Sequence, residues 1–510
     1  MDTNPRLATT KFDGSPASYE DMAHLLRRAG FGASPQRIWR DSQRGLGSVT
    51  RELIEYAAIP DDIDDGAFLQ TSLQVVNGAN NLMLADAELK TPAVRLWWIY
   101  RILATRRPLQ EKMVLFWHNH FTSKDDDGVL MLRQNRLFRT HALGNFRDLA
   151  QAVSRDPEMV RYLNGDQNYR EHPNENYARE LMELFTCGRV GPSGAPNYTE
   201  DDIKAAARAF SGWNLRNGRF YYNPAEHDET EKTFMGRTAA FTGSDIVDHL
   251  VALPATAHYL CRKLYRYFCA ETPSERTMSR LTSVYFNSGY NIKAIVTDIL
   301  TSQEFYSPAA RYGLIKSPVD LVIGALNMTG MSDHVAPYIK LGASSGTPLD
   351  PMDDTGLRTN DFNDNATRAR ALLNGLSGVA SEMASMGQEL LGPPTVKGWD
   401  GGRLWINLNT MIARARFAQK FSQRPGLRVS LPPDSSGASN ALRTVEADAH
   451  PFASEPERLV DALLWMCGPL NVSAPVRQVL IDQTASETDA GRRVRTALGL
   501  ILSSPDYQLC

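Results

Sequence analysis

Carboxylates, amides and an arginine recur at helical spacing within residues 174–185. Glu175 and Arg179 are four residues apart, and Asn176 and Glu180 form a second row beside them. Strong helix formers fill the segment without Gly or Pro, and its other residues make an apolar side, so the pattern predicts an amphipathic helix. Polar groups packed this densely indicate a functional site. The alternative is a solvated helix face held by i,i+4 ion pairs.

Two histidines precede this helix, one residue apart from each other. His118 and His120 have side chains suited to metal ligation or to proton transfer near neutral pH. With a carboxylate from Glu175 or Glu180 they would form a two-His, one-carboxylate set that suits zinc, or iron with open positions. If the protein holds a divalent metal, we predict that His118, His120 and Glu180 bind it. The alternative is a structural histidine pair that caps a helix end.

The same residues could act without a metal. Glu180, or Glu175 in its place, is the predicted acid–base residue, because paired carboxylates at the correct separation can cleave a glycosidic bond. His118 or His120, helped by Arg179, could instead neutralise a uronate and abstract its α-proton. The predicted chemistry is therefore hydrolysis or elimination on a polar polymer such as a glycan.

A further set of residues is predicted to contact the substrate. The set is Asn176, Trp213, His227, Trp399 and Asp400. The tryptophans could stack on sugar rings, and residues 398–402 could form a loop that closes over a ligand. The alternatives are core packing for the tryptophans, a surface turn for His227 and a tight turn at 398–402.

The elements that position these residues are predicted to be helices. Helical periodicity dominates the chain, and runs of alternating polarity are scarce, so we expect a mainly α fold with few short strands. The prediction is one large helical body, toroid-like or a bundle, over residues 19–510, with a flexible lead at 1–18. Long loops are expected near 331–365 and 422–454, with a short helix at 367–373 that stops at Gly375.

Composition excludes several classes of protein. The chain has 510 residues and a formal net charge of -3, whereas a nucleic-acid-binding protein would normally be basic. No apolar run approaches the ~20 residues that span a bilayer. The five cysteines are not closely paired, which argues against a disulfide framework. Motifs for P-loops, dinucleotide binding and serine hydrolases are absent from the sequence.

The polar N-terminal sequence has no signal peptide as written, which predicts a cytoplasmic protein. Removal of a leader would instead make the protein periplasmic or secreted.

Four motifs, in this order, resemble the DUF1800 family of bacterial proteins. They read LFWHNHF at 115–121, NENYARELMELF at 174–185, AARAFSGW at 206–213 and GPPTVKGWDGG at 392–402. The resemblance runs from about His24 to the C-terminus. It implies no assigned chemistry, because the family is named for lacking a known function. It does imply a partner, since members often occur beside DUF1501 proteins, which look like sulfatases and phosphatases, and many members are exported.

Three hypotheses follow from the sequence. The first is an enzyme, a hydrolase or lyase, that acts on a polysaccharide through His118, His120 and the Glu175–Glu183 segment. The second is a metal-dependent oxidoreductase that uses histidines and glutamates inside a helical bundle. The third is a non-catalytic binding or assembly protein that works with a DUF1501-like partner.

Overall fold

Helices form most of the protein in a computed structural model. The structure describes residues 12, 15–61, 63, 68–69, 89–330, 359–432 and 442–510, and only the backbone of 359–370. The chain is 59% helical, and its few strands are short. The predicted mainly α fold is confirmed.

The described part of the N-terminal half is made mainly of helices. They are α1 (Tyr19–Arg28), α2 (Pro35–Gln43), α3 (Leu46–Ile54), α4 (Thr91–Ala104), α5 (Pro108–His120), α6 (Gly128–Thr140), α7 (Phe146–Ser154), α8 (Pro157–Tyr162), α9 (Asn176–Glu180) and α10 (Glu200–Phe210). A π-helical turn, Leu181–Phe185, continues α9.

The remaining helices follow a short β-rich stretch. They are α11 (Gly243–Val251), α12 (Pro254–Phe268), α13 (Glu275–Asn287), α14 (Ile292–Leu300), α15 (Pro318–Met328), α16 (Thr359–Ser385), α17 (Leu408–Ser422), α18 (Pro456–Met466), α19 (Ala474–Ser486) and α20 (Ala490–Ser503). Short 3-10 turns add Tyr56–Ala58, Gly165–Gln167, Pro224–Glu226, Gly402–Trp405, Ala447–Ala449 and Asp506–Gln508.

Three antiparallel hairpins make up the named strands of the described residues. They pair β1 (Trp213–Arg216) with β2 (Arg219–Tyr222), β3 (Lys232–Phe234) with β4 (Arg237–Ala239), and β5 (Arg428–Ser430) with β6 (Thr444–Glu446). Each hairpin is two-stranded, and isolated pairs of this size are marginal in water. They are therefore held by the helices against which they pack, as β3 is by α10.

Side-chain caps begin several of the helices. Ser18 accepts a hydrogen bond from the backbone N–H of Asp21 at 3.0 Å and begins α1. Thr199 and Asp202 form a reciprocal capping box at the start of α10. Such caps satisfy backbone donors that a helix leaves open at its first turn.

Large aromatic side chains fill the core between α4, α5 and α7. Trp97, Trp98, Trp117 and Phe146 are fully buried there. In the part of the chain that the structure describes, no helix is both long and apolar enough to cross a membrane.

Two of the predicted loop boundaries differ from the structure. Residues 359–365, expected to be loop, belong to α16, which continues through Gly375 to Ser385. Residues 331–358 and 433–441 lie outside the described residues, as does most of the predicted lead at 1–18. The part of 422–454 that is described contains β5 and β6 as well as loop.

Candidate functional site

The predicted helix at 174–185 forms, but its second half is a wider, π-helical turn. α9 ends at Glu180 and the π turn follows directly. The carbonyls displaced by this turn find other donors. The Thr186 hydroxyl donates to the Leu181 carbonyl at 2.6 Å, and the Gly188 N–H donates to the Met182 carbonyl at 2.9 Å. π turns inside helices are rare and occur often at functional sites.

His120 packs directly against this π turn. Its Nε2 donates to the Phe185 carbonyl at 3.0 Å, so one histidine of the pair contacts this segment. The ring is 2% exposed and contacts the ring of Phe121. Burial, with the positive charge of Lys263 nearby, holds the pKa of His120 well below its usual value. The imidazole is therefore neutral at physiological pH.

His118 is enclosed by aromatic rings. It is 1% exposed, and its ring centroid lies 5.5 Å from that of Trp98 and 5.7 Å from that of Trp399. Burial lowers the pKa of His118 to about 3. Neither His118 nor His120 has a path to a dissolved ligand in this arrangement, which favours the structural alternative over direct contact with a substrate.

The predicted metal set does not assemble. Throughout the described ranges, no group of three or more His, Cys, Asp or Glu side chains is arranged to hold a metal ion. His118, His120 and Glu180 therefore do not converge as the two-His, one-carboxylate hypothesis requires. All five cysteines are buried and free of disulfides.

The first polar row of the helix is a surface ion-pair network. Arg179 lies 2.9 Å from Glu175 and 2.9 Å from Glu200, and all three side chains are partly or largely exposed. Asn176 donates to the side-chain oxygen of Asn164 at 3.2 Å. Exposed pairs of this kind contribute at most ~1 kcal/mol each, so this row matches the solvated-face alternative.

Glu180 lies in a different environment. It is half-buried, and burial together with the charge of Glu183 raises its pKa, while Arg179 and Lys397 pull the pKa down. Lys397 belongs to the loop that contains Trp399. The raised pKa of Glu180 favours the protonated acid.

The same loop lines a cavity of about 190 Å³. Trp399 and Asp400, both predicted to contact a substrate, line it, and so does Asn119 from the His-Asn-His segment. α5 and α12 provide two of its walls. Aromatic faces of Phe116, Tyr267, Trp399 and Trp405 are part of the lining.

Asn119 fixes the loop that forms this wall. Its Oδ1 accepts from the backbone N–H of Trp399 at 2.6 Å, and its Nδ2 donates to the Trp399 carbonyl at 3.2 Å. The two contacts require close approach at Gly398, which has φ +80° and where an added Cβ would lie 2.2 Å from Asn119 Oδ1. The motifs at 115–121 and 392–402 therefore meet because the amide of one binds the backbone of the other.

Positive charge dominates the cavity lining. Five cationic side chains face three acidic ones, and the full set is Arg27, Arg28, Lys112, Lys263, Arg266, Glu271, Asp320 and Asp400. Lys112 pairs with Asp320, and Arg266 pairs with Glu271 at 2.8 Å. Arg28 donates to the Phe268 carbonyl at 2.8 Å.

Three cations in the lining, Arg27, Arg28 and Lys263, lack an acidic partner among the residues that the structure describes, and Arg28 bonds to backbone carbonyls instead. Arg27 stacks on the Tyr312 ring, with its guanidinium carbon 4.7 Å from the ring centroid. Lys263 is half-buried on α12, and its Nζ lies 5.4 Å from the centroid of Tyr259. Burial, and then the charge of Arg266, lower the pKa of Lys263 to about 7. At neutral pH a large fraction of this amine is uncharged and able to accept a proton.

Comparison with known proteins now gives the family. Over residues 24–509 the chain matches the family described as "Protein of unknown function (DUF1800)". The chain belongs to the DUF1800 family. No curated protein and no solved structure matches it. The chemistry of this DUF1800 protein must therefore be argued from its own site.

Two residues that were predicted to bind a substrate lie elsewhere in the DUF1800 protein. Trp213 is 6% exposed and packs against Phe210, which is the core-packing alternative. His227 is also buried, and its Nδ1 donates to the Ser211 carbonyl at 2.8 Å, so it is not in a surface turn. Neither residue lines the cavity.

Sequence reasoning missed the cationic residues of the cavity. Arg27 and Lys263 each belong to a pair of adjacent basic residues on an amphipathic helix, and nothing in their spacing distinguishes them from solvent-facing lysines and arginines. They reach the cavity only through the packing of α1 and α12. Asn119 could have been found, since a polar side chain between two buried histidines needs a partner.

Proposed function

We propose that this protein binds an anionic stretch of a polar polymer, such as an acidic glycan, in the cavity and cleaves it by acid–base chemistry. The observation that carries the proposal is that the cations Arg27 and Arg28 line the cavity without an acidic partner among the described residues, together with the amine of Lys263. Buried positive charge of this kind favours an anionic ligand. Trp399 and Trp405 are 5% and 9% exposed and form part of the apolar wall of the cavity.

Elimination is the reaction that this lining supports best. Arg27 would neutralise a uronate carboxylate, which acidifies the carbon-bound proton next to it. The neutral amine of Lys263 would take that proton, since its pKa of about 7 is suited to a general base near neutral pH. The bond from the neighbouring carbon to the glycosidic oxygen breaks, a carbon–carbon double bond forms, and the leaving oxygen takes a proton from solvent.

Hydrolysis through Glu180 is the other route. The raised pKa of Glu180 supports a role as a proton donor to a glycosidic oxygen. Glu180 does not line the cavity, so this route requires the polymer to extend past Lys397. Glu180→Gln would abolish activity by hydrolysis and leave elimination by Lys263 intact.

A panel of polymers tests the proposal. The purified protein is incubated with uronate-rich polymers and with neutral glucans, and the ultraviolet absorbance of an unsaturated product is followed together with reducing ends. We expect activity only with the acidic polymers and its loss in Lys263→Met. The matched control is Lys204→Met, which removes the same charge from an exposed position on α10. Binding of no acidic polymer would contradict the proposal.

A second function, assembly with a DUF1501-like protein, is favoured by one surface feature. Leu404, Leu408 and Ile412 are 67%, 77% and 42% exposed and recur at intervals of four residues beside the cavity. Exposed apolar rows often mark protein–protein contacts. Changing all three residues to Ser should abolish co-purification with the DUF1501-like neighbour while the monomer remains folded. Retained co-purification would contradict this assignment.

The metal-dependent oxidoreductase is not carried further, because its predicted ligands do not converge. The cytoplasmic location read from the N-terminal sequence stays a prediction. A substrate outside the cell would require export.

A further inference from the structure

A second, smaller cavity shares Arg27 and Asp320 with the first. Its volume is about 40 Å³, its other charged side chain is that of Lys316, and most of the remaining lining is apolar or glycine. Because a water molecule needs roughly 10–15 Å³ of such space, the cavity has room for about three water-sized groups. Only a small ligand can therefore enter it.

The one carboxylate of this lining is already paired elsewhere. Asp320 forms an ion pair with Lys112, which lines the first cavity but not the second. It also accepts a hydrogen bond from the Ser317 hydroxyl at 2.7 Å. Arg27 and Lys316 are consequently two cations without an acidic partner among the residues that the structure describes.

Lys316 is a buried cation with donors to spare. It is 5% exposed, its Nζ donates to the Tyr507 carbonyl at 2.6 Å, and the same Nζ lies 3.4 Å from the centroid of the Tyr507 ring. An ammonium group has three donors, so two remain after the bond that it makes within the described residues. Burying such a charge is costly unless a counter-charge accompanies it.

Arg27 has a donor without a partner beside the same cavity. Its Nε is buried and makes no hydrogen bond to any described residue, while its guanidinium stacks on the ring of Tyr312. The backbone closes over the guanidinium at Gly468, where φ is +94° and an added Cβ would lie 2.7 Å from Arg27 Nη1. Since buried polar groups are nearly always paired, the unpartnered Nε is evidence for a ligand.

We propose that the second cavity binds a small planar oxyanion, the size of formate or bicarbonate, between Arg27 and Lys316. The Nε and one terminal nitrogen of an arginine form a fork that matches the two oxygens of a planar carboxylate. The ammonium of Lys316 supplies further donors and a second positive charge. The site goes beyond the proposed function, because it requires no polymer, although the two cavities share the charge of Arg27.

Binding at this site should depend on the protonation of Lys316. Burial, and then the charge of Arg27, lower the pKa of Lys316 to about 7, whereas a bound anion would raise that pKa. Affinity should therefore be highest below pH about 7 and fall as the pH rises above it. The charged and titratable groups that surround Lys316 are Arg27, Asp320, Arg414, Cys467, Tyr507 and Cys510.

Thermal unfolding and calorimetry test the site on the full-length protein without any polymer. The probe is sodium formate, and sodium chloride at the same ionic strength is the reference. We expect formate to raise the melting temperature above its value in chloride, because a ligand that binds the folded state stabilises it. Both this rise and the calorimetric affinity should be larger below pH about 7 than above it.

Two variants and one control assign the effect to the cavity. Lys316→Met and Arg27→Met each remove one cation, and the affinity for formate should fall about tenfold or more in each, as expected for losing a hydrogen bond to a charged group. Arg27 is partly exposed, so Arg27→Met tests the site even if Lys316→Met does not fold. Lys204→Met, at an exposed position on α10, should bind formate like the wild type.

The pH dependence separates this site from a general effect of salt. Without the charge of Arg27 the pKa of Lys316 should be higher, so the residual affinity of Arg27→Met should fall at a higher pH than that of the wild type. The proposal is wrong if formate stabilises the wild type no more than chloride does, or if either folded variant binds formate as the wild type does. Because no polymer is present, these outcomes are independent of whether the first cavity cleaves a glycan.

Discussion

Asn119, rather than either neighbouring histidine, connects α5 to the cavity. Its amide offers one acceptor and two donors, and the structure uses an acceptor and a donor on the backbone of Trp399. The histidines on each side turn into the aromatic core. This alternation follows from helix geometry, because successive residues point about 100° apart. Asn119 is therefore a positioning residue for the Trp399 wall.

Replacing Asn119 with Ala should loosen that wall. Two hydrogen bonds would be lost and two backbone groups of Trp399 left without their partner, so we expect stability to fall by about 1–2 kcal/mol. The measurement is urea unfolding followed by circular dichroism. Asn176→Ala is the control, since Asn176 makes one exposed contact with Asn164. Equal losses of stability in the two variants would show that the Trp399 contacts stabilise the protein no more than one exposed hydrogen bond does.

Lys263 should show its lowered pKa in its reactivity. Only the neutral amine reacts with acylating reagents, so labelling of Lys263 should rise through pH about 7. Labelling of exposed lysines, whose ordinary pKa is about 10.4, should rise only well above that pH. Labelling at a series of pH values, read by peptide mass spectrometry, measures the difference. If labelling of Lys263 rises at the same pH as labelling of the exposed lysines, its pKa is not lowered.

The lowered pKa of Lys263 also makes the stability of the protein depend on pH. The folded protein binds fewer protons at Lys263 than the unfolded chain between pH about 7 and the ordinary lysine pKa. Stability from this group should therefore rise with pH across that window, and Lys263→Met should lack the rise. Because Lys263 is only half-buried, solvent screening reduces the size of the effect.

At the residue scale, the sequence could identify polar residues but not their surroundings. Trp399 and Asp400 were predicted to contact a ligand and do line the cavity. His118 and His120 were identified by type, which carries no information about whether aromatic neighbours enclose them. Lys263 was missed because its shift arises from burial, and burial depends on which helix packs against α12.

Glycine has opposite consequences in the loop at 398–402 and in α16. Gly398 adopts φ +80°, and the loop approaches Asn119 too closely for a side chain. Gly375 lies within α16 with no atom within 4 Å of an added Cβ. The first glycine is required by tertiary contact, whereas the second only adds flexibility to the unfolded chain.

Alanine substitutions should separate these two roles. Gly398→Ala should destabilise the protein by more than about 2 kcal/mol, because it combines a strained backbone with a clash against Asn119. Gly375→Ala should stabilise the protein by about 0.5–1 kcal/mol, because alanine is the better helix former. Thermal unfolding of both variants gives the comparison. A stable Gly398→Ala protein would mean that the loop is free to move away from Asn119.

At the element scale, local signals predicted where helices form better than how they continue. The helix at 174–185 was predicted as one regular unit, and its π turn depends on contacts from His120 and Thr186. His120 belongs to another helix, α5, and Thr186 lies one residue beyond the predicted helix end. Gly375 was predicted to stop a helix, but α16 passes through it, since packing against α4 and α15 outweighs the cost of one glycine.

The whole molecule and its cavity carry opposite excesses of charge. The chain has a formal net charge of -3, whereas the cavity has five cationic and three acidic side chains. A polyanion is therefore repelled at a distance and attracted at the cavity. Because exposed charges are screened beyond about 10 Å at 0.1 M salt, the local excess decides binding under physiological conditions. Composition argued against a nucleic-acid-binding protein but could not reveal this local excess.

Removing an acid from the cavity should strengthen binding of an anionic ligand. Asp400 lines the cavity and is exposed, so Asp400→Asn changes the local charge without disturbing the core. With a partly screened repulsion of about 0.5–1 kcal/mol removed, affinity for an acidic oligosaccharide should rise about two- to fivefold. Calorimetry at low and at high salt measures the affinity, and the gain should shrink as salt increases.

Asp201→Asn makes the same change in net charge on exposed α10 and should leave the affinity unaltered. If both variants gain equally, the net charge of the protein, and not the cavity, governs binding. If Asp400→Asn weakens binding, Asp400 contacts the ligand directly as a hydrogen-bond acceptor.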